Sequence, residues 1–508
     1  MAERLEPGSQ PVVETGIDGL DTILRGGLIQ NRMYLVEGDP GCGKTTLGLQ
    51  YLLAGVRRGE SCMLVALSET AEELDAIGTE HGWSLEGVNV FELRPSEESL
   101  SVDARYTMFH PSEVELTETT KTLLSEAERT KPMRLVFDSL SELRLLAQNP
   151  LRYRRQILAL KEFFLRRHCT VLLLDDQTGG QADMQLRSMV HGVISMERRS
   201  PEYGVARRRL QIIKLRGWAF SEGYHDYLIK RGGLDVFPRL IAAEHSTSFV
   251  RYTVESGLKA LDTLLGGGLT RGTSTLITGP AGSGKSSIAA HYAVSSAASG
   301  ERASMFVFDE SIATLTERCA GLGFDIRSMV ESGMLRLHQI DPAQMTAGQF
   351  SHVVRMEAEQ HEARLVVIDS LNGYLHSMPS ENLLTVHLHE LLTYLGQKDV
   401  TTLLIMAQHG LVSASTEAPV DTSYLADTVI LTRFFEAAGE VRQAISVIKK
   451  RTGQHERTIR ELKLSSCGIT IGEPLREFEG VLTGVPSYVG TSLNKANGDD
   501  KKRTKTSR

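Results

Sequence analysis

Gly38-Asp-Pro-Gly-Cys-Gly-Lys44-Thr45 and Gly279-Pro-Ala-Gly-Ser-Gly-Lys285-Ser286 both fit the pattern G-x-x-x-x-G-K-[ST]. Each follows a stretch that reads as a strand, MYLVEG in the first case, and opens a stretch that reads as a helix, there TTLGLQYLLAGVRRG. That context separates a phosphate-binding loop from a chance glycine-rich turn. Glycines (Gly38, Gly41 and Gly43; Gly279, Gly282 and Gly284) let backbone N–H groups turn inward around phosphate oxygens. The helix N-terminus, at Thr46 and Ser287, adds positive potential. Lys44 and Lys285 would reach the β- and γ-phosphates, while Thr45 and Ser286 offer a hydroxyl to Mg²⁺. ATP and Mg²⁺ are the expected cofactors.

Working outward, the rest of the chain repeats as well. TGIDGLDTILRGGL (15–28) is matched by SGLKALDTLLGGGL (256–269), an offset of 241 residues that the two loops share. SET (68–70) is matched by DES (309–311), RLVFDSL by RLVVIDSL, and IIKLRG by VIKKRT, always in the same order. Five repeated blocks predict two homologous domains, 15–240 and 241–485, after an N-terminal segment 1–14 and before a polar, basic tail 486–508. Short apolar runs such as RLVFD and CTVLLLD alternate with helical patterns such as AEELDAIGTEHG. This is the α/β pattern of a mostly parallel sheet flanked by helices. VHGVISMERR and RRRLQIIKLRG, strand-rich without a long helix between them, are expected to extend that sheet in antiparallel fashion.

Further residues carry candidate chemistry. Asp138 and Asp369 end apolar strands, where a carboxylate either holds Mg²⁺ or caps the next helix; the P-loop in the same copy favours the metal. Glu69 and Glu310, the latter beside Asp309, follow the strand after each P-loop helix and could take a proton from an attacking water or hydroxyl. The alternative is that these acids suit a helix start. Lys214 and Arg216, like Lys449 and Arg451, are two apart on a predicted strand and share one face. Such a pair suits a γ-phosphate or a solvated surface equally.

The 508 residues carry a net charge of −7, with 41 % hydrophobic and 23 % charged residues, as in globular proteins rather than chains built around a phosphate backbone. RYRR (152–155) and RRR (207–209) read as solvated faces. Cys42, Cys62, Cys169, Cys319 and Cys467 are scattered without metal-ligand spacing, which points to reduced thiols and a cytoplasmic protein. The first residues lack an apolar leader, and no run of about 18 apolar residues predicts a membrane span.

The doubled domain, the lead-ins, P-loops, acidic motifs and K-x-R strands together resemble the KaiC proteins of the RecA-like superfamily, over about residues 12–485. The resemblance implies two tandem RecA-like P-loop domains in a homohexamer of two stacked rings, with nucleotide between subunits. It implies that Glu69 and Glu310 are catalytic acids and that Lys214, Arg216, Lys449 and Arg451 act on a neighbour's nucleotide. It implies slow ATP hydrolysis in the first ring, reversible Ser/Thr autophosphorylation in the second, and KaiB-like or other signalling partners. Ser423 falls at the family's acceptor serine; Tyr424 stands where the acceptor threonine would be, and Ser68 where better-known members carry a second acid. A DNA-recombination or helicase motor and a nucleotide-gated scaffold are the other classes open to such a fold. The acidic balance and the lack of an aromatic-interleaved basic loop argue against nucleic acid.

Overall fold

A computed structural model describes residues 11–92, 111–147, 149–176, 181–201, 203–241, 252–376, 384–408, 424–483 and 487–489. The chain forms two compact units, one of residues 1–239 with 346–352 and the other of residues 240–345 with 353–508.

Each unit is built on a nine-stranded sheet. In the first, the spatial order is Val88–Glu92, Cys62–Ala66, Arg134–Asp138, Thr170–Asp176, Met33–Gly38, Gly192–Arg199, Arg207–Leu215, His225–Lys230 and Gly233–Phe237. The second repeats this as Leu335–Gln339, Ala303–Val307, Leu365–Asp369, Thr401–Ala407, Ser274–Gly279, Thr428–Ala437, Glu440–Lys450, Arg460–Ser465 and Gly468–Pro474. In both, the first six strands are parallel and the last three antiparallel. The α/β expectation therefore holds in both halves.

Continuous apolar strands are required because helices cover both faces of the parallel region. Tyr34 and Val36 join one buried cluster with Leu64, Val136 and Leu172, while Met33 and Leu35 join the opposite one with Val65, Phe137 and Leu173. Successive residues of one strand thus feed two cores.

The expected antiparallel extension holds for RRRLQIIKLRG but not for VHGVISMERR. Gly192–Arg199 runs parallel to Met33–Gly38, with Gly192 opposite Tyr34. The reason is the helix Gln181–Met189, which returns the chain to the start of the sheet. A parallel neighbour needs such a crossover, and QADMQLRSM has too few apolar residues to announce one.

The lead-in motifs are structural. Short strands Val12–Val13 and Leu28–Ile29 pair, as do Thr253–Val254 and Leu269–Thr270. The Asp21 carboxylate accepts from the Thr15 and Gly16 N–H groups at 2.7 and 3.2 Å, and Asp262 accepts from Ser256 N at 2.8 Å.

Candidate functional site

In both units the central parallel strand ends at the P-loop, and the helices Lys44–Val56 and Lys285–Ala298 leave from it. Gly43 (φ 98°) and Gly284 (φ 94°) turn the chain into these helices through left-handed backbone that a side chain rarely adopts. A Cβ on Gly38 would lie 2.2 Å from the Met196 carbonyl oxygen, and one on Gly279 2.3 Å from that of Thr432. The loops can therefore press against the neighbouring strand only as glycine.

Beside each loop is a cavity, about 400 Å³ in the first unit and about 370 Å³ in the second. The first is lined by Gly41, Gly43, Lys44, Thr45, Thr46, Glu69 and Asp138; the second by Gly282, Gly284, Lys285, Ser286, Ser287, Asp309, Glu310 and Asp369. Residues from Gly41 to Asp138 in the first half, and from Gly282 to Asp369 in the second, thus meet at one end of each sheet.

The acids reach the cavity by matching backbone stitches. Leu67 N donates to Asp138 O at 2.8 Å, and Phe308 N donates to Asp369 O at 2.7 Å. Each bond holds the loop bearing Glu69 or Glu310 beside the strand-end aspartate. Helix capping falls to other residues: Thr70 receives Glu73 N, and Ser311 receives Thr314 N. Ser370 likewise receives Gly373 N and donates to Asp309. The side-chain caps of the helices after the acidic motifs are therefore Thr70 and Ser311, not the glutamates.

Burial dominates the electrostatics. It pushes the Glu69 carboxyl up to about 7, with the Asp138 charge adding to the rise. Asp138 also rises through burial, opposed by the Thr45 hydroxyl and Lys44. In the second unit burial raises Asp369 to about 6, with Ser286 hydrogen-bonded to it, and lowers Lys285 to about 8. Asp138 Oδ2 is buried and has no hydrogen-bond partner among the described residues. A hydroxyl beside an under-satisfied buried carboxylate, facing a phosphate cradle, fits Mg²⁺ carried with nucleotide, since that ion takes one or two protein ligands and leaves the rest to phosphates and water.

Two participants were not anticipated. Lys44 donates to the Gly38 carbonyl at 2.9 Å and is ion-paired with Asp176 at 2.8 Å. In the second unit the matching strand ends at Ala407, and Lys285 donates to the Pro280 carbonyl at 2.6 Å. Arg318, which lines the second cavity, pairs with Glu310. Arg318 could have been found by reading the 241-residue offset beyond the motifs, since it sets Ile77 against Arg318; Asp176 falls under the 231-residue offset of the strand-end aspartates, which sets it against Ala407.

The K-x-R pairs lie elsewhere. Lys214 is opposite Val193, near the start rather than the end of the P-loop strand, and Lys449 is opposite Val429 in the same way. A bulge precedes each lysine. Lys214 and Arg216 donate to the Arg187 and Ser188 carbonyls; Lys449 and Arg451 donate to those of Ala426 and Tyr424. None of the four lines the P-loop cavity of its own unit. Burial, then Arg32, Lys161, Arg216 and Lys214, push His191 down to about 4, which marks a basic cluster at that end. Ser423 lies outside the described residues; Tyr424 is exposed.

The doubled order of strands and cavities has a counterpart among known proteins: the family model for the KaiC ATPase matches residues 13–241 and again 254–476. The chain belongs to the KaiC family. Its two halves are tandem RecA-like P-loop domains. Curated relatives include a circadian clock oscillator protein KaiC of Parathermosynechococcus lividus, 26 % identical over 94 % of this chain and 88 % of the relative. The circadian clock protein KaiC3 of Synechocystis sp. is 26 % identical, covering 94 % and 95 %. The KaiC of Synechococcus elongatus is 26 % identical, covering 94 % and 92 %. No helix among the described residues of this KaiC-family chain is long and apolar enough to cross a membrane.

Proposed function

We propose that this KaiC-family chain is a Mg·ATP-dependent ATPase that assembles as a homohexamer, and that its second half also phosphorylates the chain itself at Ser423. The observation that carries the ATPase reading is the gathering, in each unit, of a P-loop lysine, a hydroxyl–aspartate pair and a further glutamate around one cavity. Lys44 and Lys285 neutralise the transferring phosphate, and the glycine-lined backbone holds the phosphate oxygens. Thr45 with Asp138, and Ser286 with Asp369, would hold Mg²⁺, which when bound neutralises charge on the β- and γ-oxygens. Glu69 or Glu310 accepts the proton of the attacking hydroxyl. As the new O–P bond forms, the bond to the β,γ-bridging oxygen breaks and ADP leaves with that electron pair.

Support for a ring comes from the four K-x-R cations. They cluster near the end of the P-loop strand away from the loop, so a head-to-tail neighbour is the natural donor of phosphate to them. Tyr424, next in sequence to Ser423, is bonded through its carbonyl to Arg451 in that same region. The clock role named for the relatives, with KaiB-like or other signalling partners in the cytoplasm, extends this reading.

Intact-mass spectrometry after incubation with Mg·ATP, with peptide mapping, tests it. One added phosphate on Ser423, lost in Glu310→Gln, is expected. Hydrolysis without any added phosphate would remove the kinase and leave the ATPase; no hydrolysis would remove both.

A further inference from the structure

The helix after the acidic motif, Ala71–His81 in the first unit and Ile312–Gly321 in the second, sends one residue into each P-loop cavity: Ile77 and Arg318. Arg318 uses both arms of its guanidinium. One Nη pairs with the Glu310 carboxylate, and the other donates to the Ser287 hydroxyl at 3.0 Å. Ser287 belongs to the helix that opens at Lys285, so the bridge ties the glutamate to the phosphate cradle. Ile77 can make neither bond, and Glu69 Oε2 is buried without a hydrogen-bond partner among the described residues.

We infer that Arg318 is a positioning residue that holds Glu310 in its working orientation, a device the first half lacks. The inference rests on Glu310 being the proton acceptor proposed above. Glu310 shares its cavity with two other carboxylates, Asp309 and Asp369, and with the cation Lys285. Repulsion from the two acids would turn its side chain outward, and the planar fork of an arginine opposes that turn with fixed geometry. The arrangement suits transfer to a protein hydroxyl. Water is present in any orientation, whereas a tethered serine arrives along one path and needs the acceptor already in place. In that step the serine oxygen bonds to the γ-phosphorus, the bridging P–O bond breaks toward ADP, and the serine proton passes to Glu310.

The test uses the full chain with Lys44→Ala, which silences the first half. Single-turnover cleavage of Mg·ATP and affinity for a fluorescent ATP analogue are measured for Arg318→Ile, Arg318→Lys, Glu310→Gln and the Arg318→Ile/Glu310→Gln pair. Arg318→Ile, which copies the first half's residue, should slow cleavage by about 10- to 100-fold, the scale of a misplaced catalytic group. Its analogue affinity should change less than about threefold, because the phosphate contacts remain. Arg318→Lys keeps the charge and should recover part of the rate. Adding Arg318→Ile to Glu310→Gln should change little, since the two act as one unit. Parental cleavage in Arg318→Ile, a loss confined to affinity, or full additivity in the pair overturns the inference while Glu310 keeps its role. Parental cleavage in Glu310→Gln overturns both. Retained analogue binding certifies the fold of each variant, and Arg318→Lys carries the decision if Arg318→Ile does not fold.

Discussion

Lys44 Nζ lies 2.8 Å from a carboxylate oxygen of Asp176, while its counterpart Lys285 donates instead to the Pro280 carbonyl. The two P-loop lysines therefore meet nucleotide from different starting points. In the first half an incoming phosphate must take Lys44 from a partner of its own charge. Asp176→Asn removes that competitor and its repulsion. Because the carboxylate is 40 % exposed, the pair is screened and the expected gain is modest, about 1 kcal/mol or roughly fivefold tighter ATP binding in the first half. Titration of the Lys285→Ala chain with a fluorescent ATP analogue measures it, and unchanged or weaker binding would refute the competition.

Removal of either lysine should silence its own half. Lys44→Ala and Lys285→Ala each delete the cation facing the phosphates, and the double variant should lose ATP hydrolysis by about 100-fold or more. A double variant that hydrolyses at the parental rate would show that the cavities are not the sites of turnover.

The nucleotide-free protein should pay for Glu69 at alkaline pH. Burial and Asp138 raise this carboxyl from its usual 4.5 to about 7, so the fold favours the protonated form. Its contribution is complete below pH 4.5 and is lost as pH rises through about 7. Glu69→Gln, which cannot ionise, should therefore raise the melting temperature at pH 8 and leave it unchanged near pH 4.5. Discounted for partial exposure, the gain is on the order of 1 kcal/mol, or about 2–4 °C. Calorimetry without nucleotide at the two pH values checks this; equal shifts at both would contradict it.

Assembly should depend on nucleotide and on the K-x-R pairs. Native mass spectrometry with excess Mg·ATP is expected to show a hexamer, stabilised by ligand bound between subunits. Lys214→Ala/Arg216→Ala and Lys449→Ala/Arg451→Ala should weaken hexamer formation and reduce turnover while each unit stays folded. Monomer alone in the parent chain under these conditions would rule the ring out.

Much of both sites was legible because their chemistry is local. A P-loop is one contiguous stretch, and Asp138 ends, while Glu69 shortly follows, a strand that a short apolar run announces. The crossover helix Gln181–Met189 escaped for the opposite reason: its polar sequence carries little periodic signal, and only the parallel partner strand requires it.

By itself the sequence determined that this protein has two α/β halves, each with a P-loop, a strand-end aspartate and a second acid, because those features repeat in order and follow from backbone pattern. The tertiary structure decided which of the residues that differ between the halves meet at the sites. Asp176 reaches Lys44, and Arg318 bridges Glu310 to Ser287, across sequence separations that no motif spans. The physical reason is that charge pairing depends on where strand ends and helix faces converge, and convergence is a property of the packed sheet rather than of any segment within it.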